Sequence, residues 1–296
     1  KQIKRHNDGH EILNFAGLHE YMWYGNALGE NTFDSEIKRL RPGHFLKVSL
    51  SGRVIESYWS ANQIAKSDDN EDTAIQNTKK LLEDAVKRHL ISDVPVGVFL
   101  SGGIDSSAIT AFAAREYGQK LKTYSVSFDY DKGNNELDKA RFVANTFNTD
   151  HEEVQIKADD LITTLNELSR AHDEPFADAA NIPLYLLTKK LNGDIKVVLQ
   201  GDGGDEIFAG YRRYNTLSFE KSARVIATSA YHLQNVLPKT RYYDRFQRYF
   251  YCMSRPKASD RMALLLTQDS PLLSPIDYFS EDFKDKLKNV DPFSEY

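Results

Sequence analysis

The strongest constraint on this chain is the string Ser101-Gly102-Gly103-Ile104-Asp105-Ser106-Ser107. It lies between the apolar run Val96-Gly97-Val98-Phe99-Leu100 and the helix-forming stretch Ala108-Ile109-Thr110-Ala111-Phe112-Ala113-Ala114. A strand that passes through a Gly-rich turn into a helix makes an anion cradle. The free N–H groups of the first helical turn and the positive end of the helix dipole face the turn. Gly102 and Gly103 let an oxygen-rich ligand approach the backbone, and Ser101, Ser106 and Ser107 add hydroxyl donors. Asp105 is out of place in a pure anion site, and fits when a divalent cation bridges it to a polyphosphate. The plain alternative is a strand-to-helix turn with a serine cap. The expectation is a phosphate-binding loop. It is not of the Walker type, since no Gly-Lys-Ser/Thr follows at the required spacing, and it is not the dinucleotide fingerprint G-x-G-x-x-G.

A second constellation follows the apolar segment Ile195-Lys196-Val197-Val198-Leu199, which reads as a buried strand. Gln200-Gly201-Asp202-Gly203-Gly204-Asp205-Glu206 crowds three carboxylates among three glycines, a costly arrangement unless positive charge holds them together. By itself the string would serve as an acidic surface turn. Beside the first loop it gains a purpose. Mg²⁺ sits on one or two carboxylates plus substrate phosphates, so Asp105 and Asp205 are the expected metal pair. In an open parallel sheet, ligands bind beyond the carboxyl ends of the strands, where the two loops are expected to face each other.

The first string resembles the pyrophosphate loop, S-G-G-x-D-S, of the ATP pyrophosphatases. Taken with the second, continued by Ile207-Phe208-Ala209-Gly210-Tyr211, it resembles the synthetase domain of glutamine-dependent asparagine synthetases. The resemblance covers most of the chain. It implies an adenine nucleotide alpha-hydrolase-like fold and a ligase that uses ATP and Mg²⁺. Aspartate is activated as an acyl-adenylate with release of pyrophosphate, and ammonia displaces AMP to give asparagine. Carried over residue by residue, it implies catalytic roles for Asp105, Asp202 and Asp205, with Asp202 standing where many members have Glu. Phosphates fall to Ser101, Gly102, Gly103, Ser106 and Ser107, and backbone contacts with the nucleotide to Leu100, Val126, Gln200 and Gly201. Thr123 to Phe128 matches the strand whose backbone recognises adenine. His172 to Asp178 and Ile182 to Tyr185 match a segment lining the acceptor side. β-Lactam synthetases and surface-sugar amidotransferases use the same scaffold on other carboxylates, so a sugar uronate or β-amino acid stays open as acceptor. So does a nucleotide-binding module without turnover.

Composition supports a globular, cytoplasmic enzyme: 41% of the 296 residues are apolar and 27% charged. The net charge of −5 gives no reason to expect nucleic acid as a partner. The single cysteine, Cys252, excludes an internal disulfide framework, and no apolar run approaches the length of a membrane span. A homodimer is one assembly open to such a chain. His151 and His172 have no partner at triad-like spacing and read as structural.

The pattern changes along the chain. Residues 44–59 alternate and turn at Ser51-Gly52, a hairpin signature; polar Ser67 to Asp72 reads as a linker ending at a Thr73 N-cap. Ile75, Leu81, Leu82, Ala85, Val86 and Leu90 then predict one helix face. Strands near 96–100, 122–128, 151–156 and 195–199 alternate with helices, which predicts α/β architecture: a parallel sheet with helices on both faces. Past residue 214 the chain reads as all-helical, and Phe246, Tyr249, Phe250 and Met253 form an aromatic stripe suited to core packing. Leu18 through Trp59 resembles the closing part of the class II glutaminase domain that precedes the synthetase. Residues 1–60 are therefore expected to be a β remnant of that domain, 61–72 a linker and 73–296 the synthetase domain. A glutaminase of this type needs an N-terminal cysteine, and residue 1 is lysine. The family's later D-R-x-S-M motif has its nearest counterpart in Asp260-Arg261-Met262-Ala263, which lacks the serine. The expectation is thus a fragment, short of its glutaminase and of its C-terminal end.

Overall fold

The computed structural model describes residues 12–128, 136–156, 161–178, 180–191, 193, 195–218, 243–268, 272, 274–288 and 290–293. The chain divides into two compact units: Lys1–Ile64 with Ser169–Asp178 and Tyr211–Tyr296, and Ala65–Leu168 with Ala179–Gly210.

In the first unit, helix α1 spans Phe15–Tyr24. Asn14 starts it by accepting the Ala16 N–H, and Gly25 stops it at φ +80°, donating its N–H to Tyr21 O at 2.7 Å. The helix buries His19, Glu20, Trp23 and Tyr24. The buried Glu20 carboxylate is satisfied by the Leu28 N–H and Asn31 Nδ2, both at 2.7 Å. Strands β1 (His44–Ser49) and β2 (Gly52–Ser57) form the expected hairpin, in the register Leu46 opposite Ile55. Beyond residue 210 the described elements are all helical, among them Arg212–Ser218, Tyr243–Met253, Ala258–Leu265 and Glu281–Leu287; residues 219–242 lie outside the described residues. Tyr249 and Phe250 pack on buried Cys252, Met253 and Leu264, so the aromatic stripe is core as expected; the Phe246 side chain lies outside the description. Burial pushes the Cys252 thiol up to about 11 against the opposing pull of Arg248 and Arg255.

In the second unit, α2 (Glu71–His89) leads to β3 (Val96–Phe99), α3 (Ile104–Glu116), β4 (Lys122–Phe128), α4 (Glu136–Thr146) and β5 (Asp150–Ile156). Then come α5 (Leu161–Ala171, which enters the first unit at Ser169), α6 (Asn181–Leu191), β6 (Val197–Leu199) and α7 (Gly204–Ile207). The four strands form one parallel sheet in the order β5-β4-β3-β6. Alternation along β3 sends neighbouring side chains to opposite faces. Val98 joins Val86, Ala113 and Leu121 under α2 and α3, whereas Phe99 joins Tyr124, Val154, Leu187 and Leu191 under α6. Helices thus cover both faces, as the alternating pattern predicted.

Two local expectations need correction. The N-cap of α2 is Asn70 rather than Thr73: the Asn70 side chain accepts the Thr73 N–H at 2.9 Å, which starts the helix earlier and puts Glu71 and Asp72 on its positive end. On the predicted face, Val86 is buried but Ile75 and Leu81 are exposed. Leu81 is rotated by one residue, about 100°, from the Leu82–Val86 line.

His151, near the start of β5, is likewise structural in its contacts. Its Nδ1 meets Thr123 Oγ1 at 2.9 Å, and that hydroxyl also meets Thr149 Oγ1 at 2.8 Å. Burial holds its imidazole below the ordinary histidine value, with Glu153 opposing and Arg141 reinforcing; burial lowers His19 too, with Asp291 opposing. The unfolded chain therefore takes up protons at these histidines before the folded one does. We expect the stability they contribute to be complete above about pH 6.5 and to fall as the pH drops below it. Thermal melts from pH 7.5 to 5.5 check this, and His151→Gln is expected to flatten part of the decline.

Candidate functional site

The sheet order creates a switch point. From β3 the chain proceeds outward through β4 and β5, then returns to place β6 on the other side of β3. A crevice opens at such a reversal, beyond the carboxyl ends of the strands. The loops leaving β3 and β6 are the two strings singled out in the sequence, and both belong to the second unit.

Leu100 ends the strand and is 1% exposed, packed on Ala140 and Ala144 of α4. Its N–H donates to Tyr124 O at 2.8 Å, and its carbonyl accepts the Ser125 hydroxyl. The Ser106 hydroxyl holds the loop from inside. It accepts the Ser101 N–H at 3.2 Å and lies 3.0 Å from the Ser101 hydroxyl and 3.3 Å from Gly103 O. Ser106 is buried, whereas Ser101 is exposed and Ser107 half-buried. Gly102 sits at φ +79°, and a side chain there would meet the α4 backbone at Glu136 O and Ala140 N, each 2.8 Å away. Gly103 caps α3 without a side-chain hydrogen bond, so no side chain covers the first turn from the cap position. Asp105 stands half-buried in that turn.

The second loop closes directly on Asp105. A Cβ on Gly201 would lie 2.8 Å from Ser106 N and 2.9 Å from Asp105 Cβ, and one on Gly204 would collide with the Asp105 carboxyl group. Bare backbone at these two positions is what lets the loops touch. Gly210 plays the same part for Asp205: a side chain there would overlap its carboxylate, and the Gly210 N–H donates to Asp205 O at 2.9 Å. Asp202 is exposed and is held by Gln200 Nε2, while Asp205 and Glu206 are exposed on the short α7. Val126 is half-buried on β4, and its side chain belongs to the cluster of Tyr124 and Val154.

The structure therefore joins Asp105, Ser106, Gly201 and Gly204, and places Asp205 next to Gly204. The hydroxyl of Ser125, which fixes the exit of β3, went unnoticed in the sequence; only the β3–β4 register identifies it. The segment His172–Asp178 belongs to the first unit, where Ala177 N donates to Gly25 O at 2.8 Å and Glu174 pairs with Arg39 and accepts the Phe33 N–H at 3.2 Å. Arg261, in the string compared with D-R-x-S-M, is buried and donates from Nη1 to the carbonyls of Arg255 and Pro256. A hollow of about 420 Å³ lined by Phe99, Tyr185, Lys189, Ile195 and Val198 takes in none of the loop residues.

Among the described residues, no group of three or more His, Cys, Asp or Glu side chains could hold a metal ion by itself. Asp105 and Asp205 are the carboxylates the sequence puts forward for a cation; two such ligands would suit Mg²⁺, an ion that fills its remaining positions with phosphate oxygens and water.

Comparison with known proteins gives the chain's relatives. The family model described as asparagine synthase matches residues 77–291. Asparagine synthetase [glutamine-hydrolyzing] 1 of Bacillus subtilis is 32% identical over 227 residues, 75% of this chain and 35% of that protein. Asparagine synthetase [glutamine-hydrolyzing] 3 of the same organism is 34% identical over 236 residues, 74% and 38%. The amidase chyE of Penicillium rubens is 32% identical over 212 residues, 66% and 31%. The chain spans about a third of the length of these curated relatives.

Two glycines separate backbone strain from collision. Gly118→Ala, at φ +42° with nothing within 4 Å of the new Cβ, is expected to cost only the left-handed penalty, about 1–2 kcal/mol. Gly102→Ala adds the clash with α4 and is expected to cost more. Urea unfolding of the two variants makes the comparison.

Proposed function

The chain belongs to the asparagine synthase family, and on that footing we propose that it forms an amide at the expense of ATP. The acceptor we assign is the side-chain carboxylate of aspartate. The observation that carries the reading is the closure of Gly201 and Gly204 onto Asp105, which brings two acidic Gly-rich loops together at the carboxyl edge of a parallel sheet. The backbone of Gly102 and Gly103 and the Ser101, Ser106 and Ser107 hydroxyls take the β and γ phosphates, Ser106 also keeping the loop in shape from inside. The carbonyl edge of β4 around Val126, with Leu100, Gln200 and Gly201, faces the nucleoside. Mg²⁺ held by Asp105 and Asp205 would neutralise phosphate charge as the α–β bond breaks.

The chemistry proceeds in two displacements. An oxygen of the acceptor carboxylate bonds to the α-phosphorus, the bond to the β-phosphate oxygen breaks, and pyrophosphate leaves. Ammonia then attacks the acyl carbon, loses a proton, and expels AMP. The chain's own contribution is to position: the Ser106 and Ser125 hydroxyls tie the first loop and its entry through internal hydrogen bonds. Asp202, tied to Gln200, is assigned to the adenylate step. We assign residues 1–60 to a glutaminase-derived segment, on the resemblance of Leu18 through Trp59. No described helix is long and apolar enough to cross a membrane.

The test is pyrophosphate release from Mg·ATP, with ammonia as the nitrogen source, in the presence and absence of aspartate. Aspartate-dependent release that yields AMP and asparagine is the expected result. Release only with another carboxylate would replace the acceptor, and binding without release would leave a nucleotide-binding module. Asp105→Ala is expected to abolish Mg·ATP affinity in a calorimetric titration. Unchanged affinity would remove Asp105 from the metal pair.

A further inference from the structure

We propose that Lys139, on the first turns of α4, is a phosphate-binding residue of the same site, contributing the positive charge that the two acidic loops lack. The inference rests on the nucleotide reading given above and assigns it one more residue. Its physical basis is the seat of Gly102. A side chain built on Gly102 would lie 2.8 Å from Lys139 Cβ, so the root of the lysine borders the phosphate loop itself. This contact is fixed, because Ala140 and Ala144 of the same helix pack on Leu100, the residue that opens the loop.

Direction follows from topology. β4 and β5 are parallel neighbours, so the helix joining them begins at the carboxyl edge of the sheet, where β4 ends. Cα–Cβ bonds of a helix tilt toward its N-terminus, so the Lys139 stem leans toward that edge, and its flexible four-carbon chain carries the ammonium further.

The charge is also uncommitted. Lys139 is exposed and forms no ion pair with any described residue. The acidic neighbour Asp138 is taken by Arg141 Nη1 at 2.9 Å, and Arg141 also grips Glu153. Glu136 is exposed on the same turn and is the one carboxylate of α4 left to compete. The two loops themselves carry Asp105, Asp202, Asp205 and Glu206, all acidic. A polyphosphate brought to such a surface needs cations beyond one metal ion, and a lysine serves as a point charge for phosphate.

Calorimetric titration of the 296-residue chain with Mg·ATP, Mg·pyrophosphate and AMP, for the unaltered protein, Lys139→Ala and Lys139→Arg, tests the assignment. Lys139→Ala is expected to weaken Mg·ATP and Mg·pyrophosphate roughly tenfold, the scale of one hydrogen bond to a charged group, and to leave AMP unchanged. Lys139→Arg should restore most of the loss, and the difference should shrink as salt is raised. Equal affinities for all ligands in Lys139→Ala would overturn the proposal. An equal loss for AMP and ATP would overturn it too, since that marks a deformed loop. If the unaltered chain binds none of the three, the nucleotide reading itself falls, and this one with it.

Discussion

The site depends on one strand having a hydrogen-bonded neighbour on each side. β3 pairs with β4 through Val98 opposite Thr123 and with β6 through Val98 opposite Leu199. Because all three run the same way, their exits share one edge, and the loops after β3 and β6 cannot avoid each other. Ordinary side chains would force them apart. Glycine at 201 and 204 removes the obstruction and lets a carboxyl group fill the space a methyl would have taken.

Stiffness comes from beneath. Buried Val98, Leu100 and Ala113 anchor the strand and helix on either side of the first loop, while Ser106 and Ser125 secure its backbone from within. Groups expected to meet ligand, such as Ser101, Asp202 and Asp205, remain toward solvent. Within this single motif, buried Ser106 shapes the loop while Ser101 is exposed. That difference is why removing one hydroxyl from S-G-G-I-D-S-S need not resemble removing another.

Much of this was legible in the amino-acid order. The four strand positions, the helices between them and the facing of the two acidic loops all follow from period, glycine placement and the rule for parallel sheets. What was not legible turns on individual contacts, one of them local and the others between elements. Asn70 prevails over Thr73 as a cap because its side chain reaches the Thr73 N–H, a matter of a single hydrogen bond. Ile75 has the right period for burial but is exposed. Ser125 and Lys139 carry no local signal at all: one is defined by strand register, the other by the seat of a helix against Gly102. The catalytic roles proposed for the loop residues rest on family resemblance and chemistry, and the fold supplies the placement of the loops.

The helical part of the first unit holds a probe of its own motion. The sole thiol of the chain, Cys252, is fully buried on the helix Tyr243–Met253, in a cluster with Met253 and Leu264 that Leu217 and Phe293 also pack against. An alkylating reagent can reach it only when that packing opens, so labelling reports on the opening. The protein thereby carries a built-in clock for local opening in its C-terminal helices, readable by mass spectrometry without any engineered probe.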